Sequence, residues 1–204
     1  MVERRFTGVG RAARRMLKPD RPTPRIIIGI TGGIAVYKVA TVVSRLSQSG
    51  ADVTVVMTEA ATRFVAPLTF QALSANPVYT SPWDHIENRD PQHISLALRA
   101  DVCVIAPCTM DCMAKLATGR TDDVVTLIVS AIDRAKTPVL LAPSMNSVMW
   151  SQASTQRNLA TLRADGFGMI GPDDGWQACR HTGTGRMSEP EAILEAIAGA
   201  LAGR

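Results

Sequence analysis

Residues 143–150, with the sequence PSMNSVMW, place an amide and large apolar side chains directly after an apolar segment of the chain. The amide of Asn146 offers hydrogen-bond donors and acceptors, which suits the recognition of a carboxylate or of another amide. Met149 and Trp150 supply apolar contact area beside it. The structural alternative is a buried turn in which Asn146 satisfies backbone groups and the two large side chains only pack.

Two further places in the chain carry groups that can move protons. His93 could act as a general base near neutral pH, although a lone histidine is more often a capping or solvated residue. Residues 177–187 combine glycines with a thiol and basic side chains, which is typical of a mobile flap over a site. Arg180 and Arg186 would favour a reactive thiol at Cys179. An ordinary surface loop is the alternative for this segment.

A glycine turn, Gly32-Gly33, joins a predicted strand to a predicted helix. Free N–H groups at the start of a helix attract phosphate. The dinucleotide fingerprint needs a third glycine at a fixed spacing, and this sequence lacks it. The turn therefore favours a mononucleotide or a flavin phosphate over a dinucleotide, with a simple tight turn as the alternative.

The elements that position these groups alternate between apolar runs and segments with helical periodicity. Apolar strands separated by helices indicate a parallel sheet covered on both faces, so we predict one α/β domain, Rossmann-like and of the flavodoxin type. The predicted strands are 25–31, 52–57, 101–106, 139–142 and 167–170, and the predicted helices are 34–49, 59–64, 68–73, 93–100, 109–118, 122–132, 152–164 and 189–201. Residues 88–91 and 171–186 are predicted to be loops.

Ligands of such sheets bind beyond the carboxyl ends of the strands. The segments that follow the predicted strands there are 31–34, 57–60, 107–112 and 143–150. We therefore expect these four segments to converge and to form the site.

The net charge of +4 is unevenly distributed along the chain. Residues 1–25 hold eight basic and two acidic residues, so the remainder carries a charge of −2. This balance excludes a general nucleic-acid surface. We predict a basic, flexible arm at 1–24 and a catalytic domain at 25–204. A solvated tail is favoured for the arm over a docking segment or an organelle-targeting peptide.

Neither a secretory signal nor a membrane-spanning run is visible, so we expect a cytoplasmic protein without a membrane partner. The cysteines then predict free thiols rather than disulfides. Cys108 and Cys112 are four residues apart and would share a helical face, as zinc ligands can. No second pair at ligand spacing exists, so small core residues are the favoured interpretation and no metal is expected.

The motifs, in their order from about Arg25 to about Leu194, resemble those of the homo-oligomeric flavin-containing cysteine decarboxylases. This family includes the phosphopantothenoylcysteine decarboxylases of coenzyme A synthesis and the peptidyl-cysteine decarboxylases of peptide natural products. Residues 143–150 match the family's signature Pro-x-Met-Asn-x-x-Met-Trp in full. Further matches are Gly32-Gly33-Ile34-Ala35 with Tyr37-Lys38, Thr58-Glu59-Ala60, His93-Ile94, Ala178-Cys179 and Gly185-Arg186-Met187.

The resemblance implies one bound FMN, a substrate that ends in cysteine, and catalysis by His93, Asn146 and Cys179. The implied FMN contacts are Gly32, Gly33, Ile34, Thr58, Glu59, Ala60, Thr109, Met110, Asp111, Cys112 and Ser144. The implied substrate contacts are Met145, Asn146, Gln177, Ala178, Arg180, Arg186 and Met187. A flavin site between the subunits of a trimer is also implied, and four such trimers can form a dodecamer.

By the same resemblance, FMN oxidises the substrate thiol to a thioaldehyde with His93 as base, and carbon dioxide leaves from the carboxylate held by Asn146. Met145 would help to shape that pocket. In the coenzyme A enzymes the clamp cysteine, here Cys179, then gives a proton while a hydride returns. In the peptide enzymes the ene-thiol is itself the product.

Several residues depart from the family pattern. Asp111 stands where an amide is usual and brings a negative charge near flavin and substrate, which suits a phosphorylated substrate poorly. Arg180-His181 replaces a Gly-Asp pair, and Ser95 replaces a common glutamate. No synthetase segment follows at the C-terminal end, so we expect a free-standing decarboxylase.

Three functions remain open from the sequence. The departures favour a peptidyl-cysteine decarboxylase, which is the interpretation we prefer from the sequence. Cys179 favours phosphopantothenoylcysteine decarboxylase, because only the full reaction needs its proton. A flavin-binding regulatory subunit that has lost turnover is the third alternative, and the presence of His93, Asn146 and Cys179 together argues against it.

Overall fold

A six-stranded sheet forms the centre of the protein in the computed structural model, which describes residues 22–83 and 92–203. The predicted loop at 88–91 and the predicted arm before residue 22 lie outside the described residues. All neighbouring strands of the sheet are parallel, in the order β3-β2-β1-β4-β5-β6. The predicted α/β class is therefore confirmed.

The strands are β1 (Arg25–Ile30), β2 (Asp52–Met57), β3 (Val78–Tyr79), β4 (Val102–Cys108), β5 (Val139–Pro143), β6 (Gly168–Met169), β7 (Asp173–Trp176) and β8 (Thr182–Arg186). The helices are α1 (Val36–Gln48), α2 (Glu59–Thr62), α3 (Pro67–Ser74), α4 (Gln92–Arg99), α5 (Met110–Thr118), α6 (Val124–Ser130), α7 (Ser147–Ser151), α8 (Ala153–Ala164) and α9 (Pro190–Ala202). Within residues 22–83 and 92–203, none of these helices is long and apolar enough to cross a bilayer.

Helices cover both faces of the sheet because the side chains of each strand alternate between two apolar layers. Ile26, Ile28 and Ile30 of β1 pack in one layer with α1, α3 and α9. Ile27 faces the other layer, which contains buried side chains of α4, α5, α6 and α8. Burial on both faces explains why the strands are apolar at nearly every position.

Local signals position several helix ends as predicted. Thr58 caps α2, since its Oγ1 accepts the Ala61 N–H at 3.3 Å. Gly50, just after α1, has φ of 85°, and Gly119 at the end of α5 has φ of 71°. Both values lie in the left-handed region that glycine adopts without a Cβ penalty.

The loop predicted at 171–186 was wrong, because β7 and β8 pair there as an antiparallel hairpin. Four glycines in this segment remove the side-chain alternation that indicates a strand. The short elements β3 and α7 were also not predicted. The helix predicted at 122–132 begins only at Val124, because Asp123 is its cap and accepts the Thr126 N–H at 2.9 Å.

Candidate active site

A cleft of about 1270 Å³ opens at the carboxyl edge of the sheet. Residues from all four segments that were expected to converge line it, and they include every FMN contact that the resemblance implied. The hairpin β7–β8 contributes a further wall. The strand order reverses between β1 and β4, so the cleft lies at the position where open α/β sheets bind their ligands.

A buried threonine joins the two strands at this reversal. Thr31, 2% exposed, donates from its hydroxyl to the Pro107 carbonyl at 2.6 Å. The same oxygen accepts the Thr109 N–H at 3.1 Å. Thr109 in turn caps α5 by accepting the Cys112 N–H at 3.3 Å. These bonds fix the glycine turn after β1 relative to the start of α5, which is needed for one ligand to contact both.

The glycine turn approaches α2 so closely that position 32 has no room for a side chain. A Cβ on Gly32 would lie 2.5 Å from the Ala60 Cβ and 3.0 Å from the Ala60 carbonyl carbon. At the start of the following helix, α1, the Val36 and Lys38 N–H groups already donate to the Gly33 and Ala35 carbonyls at 3.1 and 3.0 Å, so the N–H groups of the preceding glycine turn are the ones suited to a phosphate. This cradle fits the phosphate of a flavin mononucleotide.

Gly32→Ala should therefore destabilise the protein by about 1–3 kcal/mol, since the backbone of Ala60 cannot move out of the way as a flexible side chain could. Thermal unfolding before FMN is added measures this effect, and we expect a midpoint lower by several degrees. Gly33→Ala is the matched control, because its Cβ would meet the nearest atoms only at 3.6 and 3.8 Å. An unchanged midpoint for Gly32→Ala would contradict the close approach.

Asn146 caps the short helix α7 and also faces the cleft. Its Oδ1 accepts the backbone N–H groups of Val148 at 2.7 Å and Met149 at 3.4 Å. Its Nδ2 therefore points the other way and donates to the Cys179 Sγ at 3.3 Å. Two of the three residues that the resemblance assigns to catalysis are thus in direct contact, although 33 positions separate them.

The hairpin holds Cys179 beside Asn146 because it packs tightly on the turn before α7. Met145 donates its N–H to the Gly185 carbonyl at 2.9 Å, and a Cβ on Gly185 would lie only 2.5 Å from the Met145 oxygen. Gln177 is buried at the start of the hairpin's connecting loop. Cys179 itself is exposed and lines the cleft.

Lys38 was not predicted as a site residue beyond its place in the glycine motif, and the structure places it in the cleft wall. Its amine donates to Glu189 at 2.9 Å and to the Met187 carbonyl at 3.4 Å. Arg186 is bonded to the same Glu189 carboxylate. The hydrogen bond from Lys38 holds the pKa of Glu189 below its ordinary value. Two cations share one carboxylate here, so a positive charge remains for an anionic ligand.

Sequence reasoning also missed the large aromatic side chains that line the cleft. Trp83 is 84% exposed and Trp176 is 64% exposed, and both line the cleft. Exposed aromatic rings of this size indicate surface that a ligand or a second chain can cover. Their positions in loops and on the hairpin gave no periodic signal.

An acidic cluster surrounds Lys115 at the α5–α6 side of the cleft. The amine contacts Asp111 at 3.3 Å, Asp122 at 3.1 Å and Asp123 at 3.0 Å. Although partial burial acts to lower it, the hydrogen bonds that Lys115 donates to Asp123 and Asp122 raise the pKa of its amine. The hydrogen bond from Lys115 lowers the pKa of Asp122. Asp111 is therefore ion-paired within its own helix.

Lys115→Met should lower the unfolding midpoint at pH 7 by roughly 2–4 °C, the equivalent of about 1 kcal/mol in a domain of this size. A raised lysine pKa stabilises the fold below about pH 10, and the lowered pKa of Asp122 stabilises it above about pH 4. The difference from wild type should therefore persist near pH 4 and decrease only as the pH falls further, through the lowered pKa of Asp122. Thermal unfolding at pH 7, at pH 4 and at about pH 2 checks this.

Lys136→Met is the matched control for that measurement, because the Lys136–Asp133 pair is exposed on both sides. Its loss should change the midpoint by less than about 1 °C. A Lys115→Met deficit that stays constant down to about pH 2 would argue against charge as its cause.

His93 and Arg180 are the two predicted site residues that do not line this cleft. His93 is half-buried near the start of α4, at the same edge of the sheet. Arg180 lies at the tip of the hairpin with φ of 65°, the left-handed conformation that glycine prefers. The structure thus brings Asn146 and Cys179 together in one chain but leaves His93 apart from them.

The remaining cysteines behave as core residues. Cys103, Cys108 and Cys112 are buried free thiols. Burial raises the pKa of the Cys103 thiol to about 12, and a hydrogen bond with Cys108 raises the pKa of the buried Cys112. Among residues 22–83 and 92–203, no group of three or more His, Cys, Asp or Glu side chains is arranged to hold a metal ion.

Comparison with known proteins identifies one family. A family model described as Flavoprotein matches residues 15–202 of the chain. The coenzyme A biosynthesis bifunctional protein CoaBC of Haemophilus influenzae is 45% identical over 172 residues, which are 84% of this chain and 42% of that protein. The chain spans about two fifths of the length of the curated relatives it matches.

Two solved structures of decarboxylases are similar to this chain over most of its length. A mutant PPC decarboxylase complexed with pantothenoylaminoethenethiol has a TM-score of 0.78 and 30% identity, over 86% of this chain and 97% of that chain. The FMN-dependent cysteine decarboxylase SpaF has a TM-score of 0.76 and 30% identity, over 88% of this chain and 96% of that chain. Both share the fold described above.

Proposed function

Because the chain belongs to the Flavoprotein family, we propose that it is an FMN-dependent cysteine decarboxylase that acts on phosphopantothenoylcysteine. The similarity to coenzyme A biosynthesis proteins at 45% identity supports this substrate. It favours the alternative that Cys179 suggested from the sequence over the peptide substrate that the departures suggested. The flavin-containing family that the sequence motifs resemble agrees with the Flavoprotein family model that matches the chain.

FMN is the cofactor of this family, and the cleft offers it a suitable set of contacts. The glycine turn before α1 would take the phosphate, and residues after β2, β4 and β5 would surround the rest. When bound, FMN supplies the oxidation of the substrate thiol and later returns a hydride. The protein's own residues have to hold the substrate and move its protons.

Asn146 is suited to hold the substrate carboxylate. Its Oδ1 is occupied by the start of α7, so the amide presents N–H donors to the cleft, and donors are what a carboxylate accepts. Met145 precedes it in the lining and would limit the space around the departing carbon dioxide. The carboxylate loses its charge as carbon dioxide leaves, so its hold on Asn146 weakens with the reaction.

The contact between Asn146 and Cys179 carries the proposal. The Cys179 thiol lies 3.3 Å from the amide that would hold the substrate carboxylate. It would therefore lie next to the carbon from which carbon dioxide departs. A proton donor is needed at that carbon only if the ene-thiol is converted to a saturated thiol. That conversion belongs to the phosphopantothenoylcysteine reaction, whereas an enzyme that releases the ene-thiol does not require it.

The negative charge of Asp111 is compatible with a phosphorylated substrate when its surroundings are considered. Its carboxylate is 74% exposed and is paired with Lys115, so water and a cation screen its charge. Lys38 and Arg186 place positive charge elsewhere along the cleft. The site can therefore accept an anion away from α5.

A neighbouring copy of the chain would complete the site with His93. The histidine does not line the cleft of its own chain, and Ile94 and Leu98 beside it are exposed apolar residues on the same face of α4. Such a face suits packing against another subunit. A trimer in which each cleft receives His93 from the next copy accounts for both observations.

The substrate is tested by mass spectrometry of phosphopantothenoylcysteine incubated with the purified protein and FMN, with a cysteine-terminated peptide in parallel. Loss of carbon dioxide alone from the pantothenoyl compound is the expected result. Loss of carbon dioxide plus two hydrogens from the peptide only would overturn the proposal in favour of a peptidyl-cysteine decarboxylase.

A further inference from the structure

We propose that Gln177 is a positioning residue that fixes the direction of the Cys179 S–H bond and so controls when this thiol gives up its proton. The inference rests on the proposed function, in which Cys179 protonates the decarboxylated substrate. Gln177 was expected only as a substrate contact. Its surroundings suggest a different and indirect role in the second half of the reaction.

The orientation of the Gln177 amide is determined by backbone groups on both sides. Its Nε2 donates to the Gly183 and Thr184 carbonyls, each at 3.2 Å. Its Oε1 accepts the Ser147 N–H at 3.2 Å. A flipped amide would oppose donors to donors and acceptors to acceptors, so only one orientation satisfies these partners. The oxygen must therefore face α7 and the cleft.

Cys179 uses the remaining capacity of that oxygen. Its thiol donates to the Gln177 Oε1 at 3.5 Å. Both amide hydrogens and both lone pairs of Gln177 are then occupied within the protein. The side chain is only 7% exposed, so it forms a rigid support beneath an exposed thiol.

The other neighbour of the thiol can only donate to it. Asn146 presents its Nδ2 to Cys179 at 3.3 Å because its Oδ1 is held by the N–H groups at the start of α7. The sulfur thus lies between one donor and one acceptor, and both are oriented by backbone groups. The hydrogen has one favourable direction, toward Gln177, while a sulfur lone pair faces Asn146.

This arrangement directs the S–H bond of the thiol away from Asn146 while the substrate carboxylate is bound there. After carbon dioxide has left, the S–H bond has to turn from Gln177 toward the ene-thiol. Cys179 would give its proton to the carbon that lost carbon dioxide, and bound FMN, reduced in the first half of the reaction, would supply the hydride that the adjacent carbon needs. The double bond becomes single, and water reprotonates the Cys179 thiolate.

Gln177→Met tests the role, because methionine has a similar length but cannot accept the S–H hydrogen in the same way. Turnover of phosphopantothenoylcysteine by the FMN-loaded variant should shift toward the ene-thiol, with the ratio of saturated thiol to ene-thiol at least tenfold below wild type. Mass spectrometry of the products measures this ratio. A purely structural role would slow both halves together and leave the ratio unchanged, which would overturn the inference.

Thr184→Val is the matched control. It removes the hydrogen bond from Thr184 to Asp174 between the same two strands, while the backbone carbonyl that Gln177 uses remains. Its product ratio should equal that of wild type even if substrate binding weakens. A ratio that falls as far as in Gln177→Met would assign the effect to hairpin stability and contradict our inference.

A measurement on the native sequence keeps the test independent of the variant's folding. The S–H stretching band of Cys179, isolated by subtracting the infrared spectrum of Cys179→Ser before FMN is added, should be shifted to lower frequency by donation to a carbonyl. An unshifted band would overturn the inference. If wild type releases no carbon dioxide from phosphopantothenoylcysteine, the proposed function fails, and this band still decides whether Gln177 holds the hydrogen.

Discussion

Asn146→Asp should reduce the release of carbon dioxide by about three orders of magnitude or more while the fold and FMN binding persist. The substitution removes the N–H donors that face the cleft, and a hydrogen bond to a charged group is worth about 1.5–3 kcal/mol. It also sets a carboxylate against the substrate carboxylate, which costs a further few kcal/mol at about 4 Å near a protein surface. Each 1.4 kcal/mol is a factor of about ten in rate.

The fold should survive because aspartate retains the cap of α7. Its carboxylate accepts the Val148 and Met149 N–H groups as the amide oxygen does, and aspartate caps helices as well as asparagine. Carbon dioxide release, flavin absorbance and thermal unfolding should be measured on the same preparation. Ser147→Ala, one residue away in the same turn, is the control and should remain active. An active Asn146→Asp enzyme would exclude Asn146 as the carboxylate contact.

His93→Asn should also abolish turnover, with a loss of roughly 10²–10⁴-fold, the usual contribution of a general base. FMN binding should persist, because the glycine turn and the other cleft residues that would hold FMN are unchanged in this variant. Steady-state turnover and flavin absorbance of the purified variant provide the check. A fully active His93→Asn enzyme would exclude the assigned role.

Mixing the two inactive variants distinguishes a site within one chain from a site shared between chains. If each cleft receives His93 from the next subunit of a trimer, co-expressed His93→Asn and Asn146→Asp chains form some clefts with both residues intact. Random mixing in equal amounts should restore about a quarter of the wild-type rate, since half of the copies supply each intact residue. No recovery from verified mixed oligomers would contradict the shared site.

The elements that form the sheet could be predicted because their signals are local. Burial on both faces makes β1, β2, β4 and β5 apolar along their length, and that pattern needs no knowledge of distant residues. Capping residues and glycines next to the helices gave boundaries within a few positions. Parallel topology then placed the glycine turn and Asn146 at one edge, since all carboxyl ends of such a sheet meet there.

The hairpin and the contacts it makes could not be predicted in this way. β7 and β8 are held by backbone pairing and by the close approach of Gly183 and Gly185 to the turn before α7, so no pattern of side chains reveals them. The charge of Asp111 looked unfavourable in sequence although Lys115, one helical turn later, pairs with it, and the structure adds that Lys115 is shared with Asp122 and Asp123.

The sequence by itself determined the fold class, the edge of the sheet that forms the site and the chemical groups present there. These features could be predicted because hydrophobic patterns and helix caps involve residues that are close together in the sequence. Only the tertiary structure decided which of these groups meet. It joined Asn146 to Cys179, placed Gln177 beneath the thiol and left His93 outside the cleft. Such contacts depend on how whole elements pack in three dimensions, and this packing produces no periodic pattern in the amino-acid sequence.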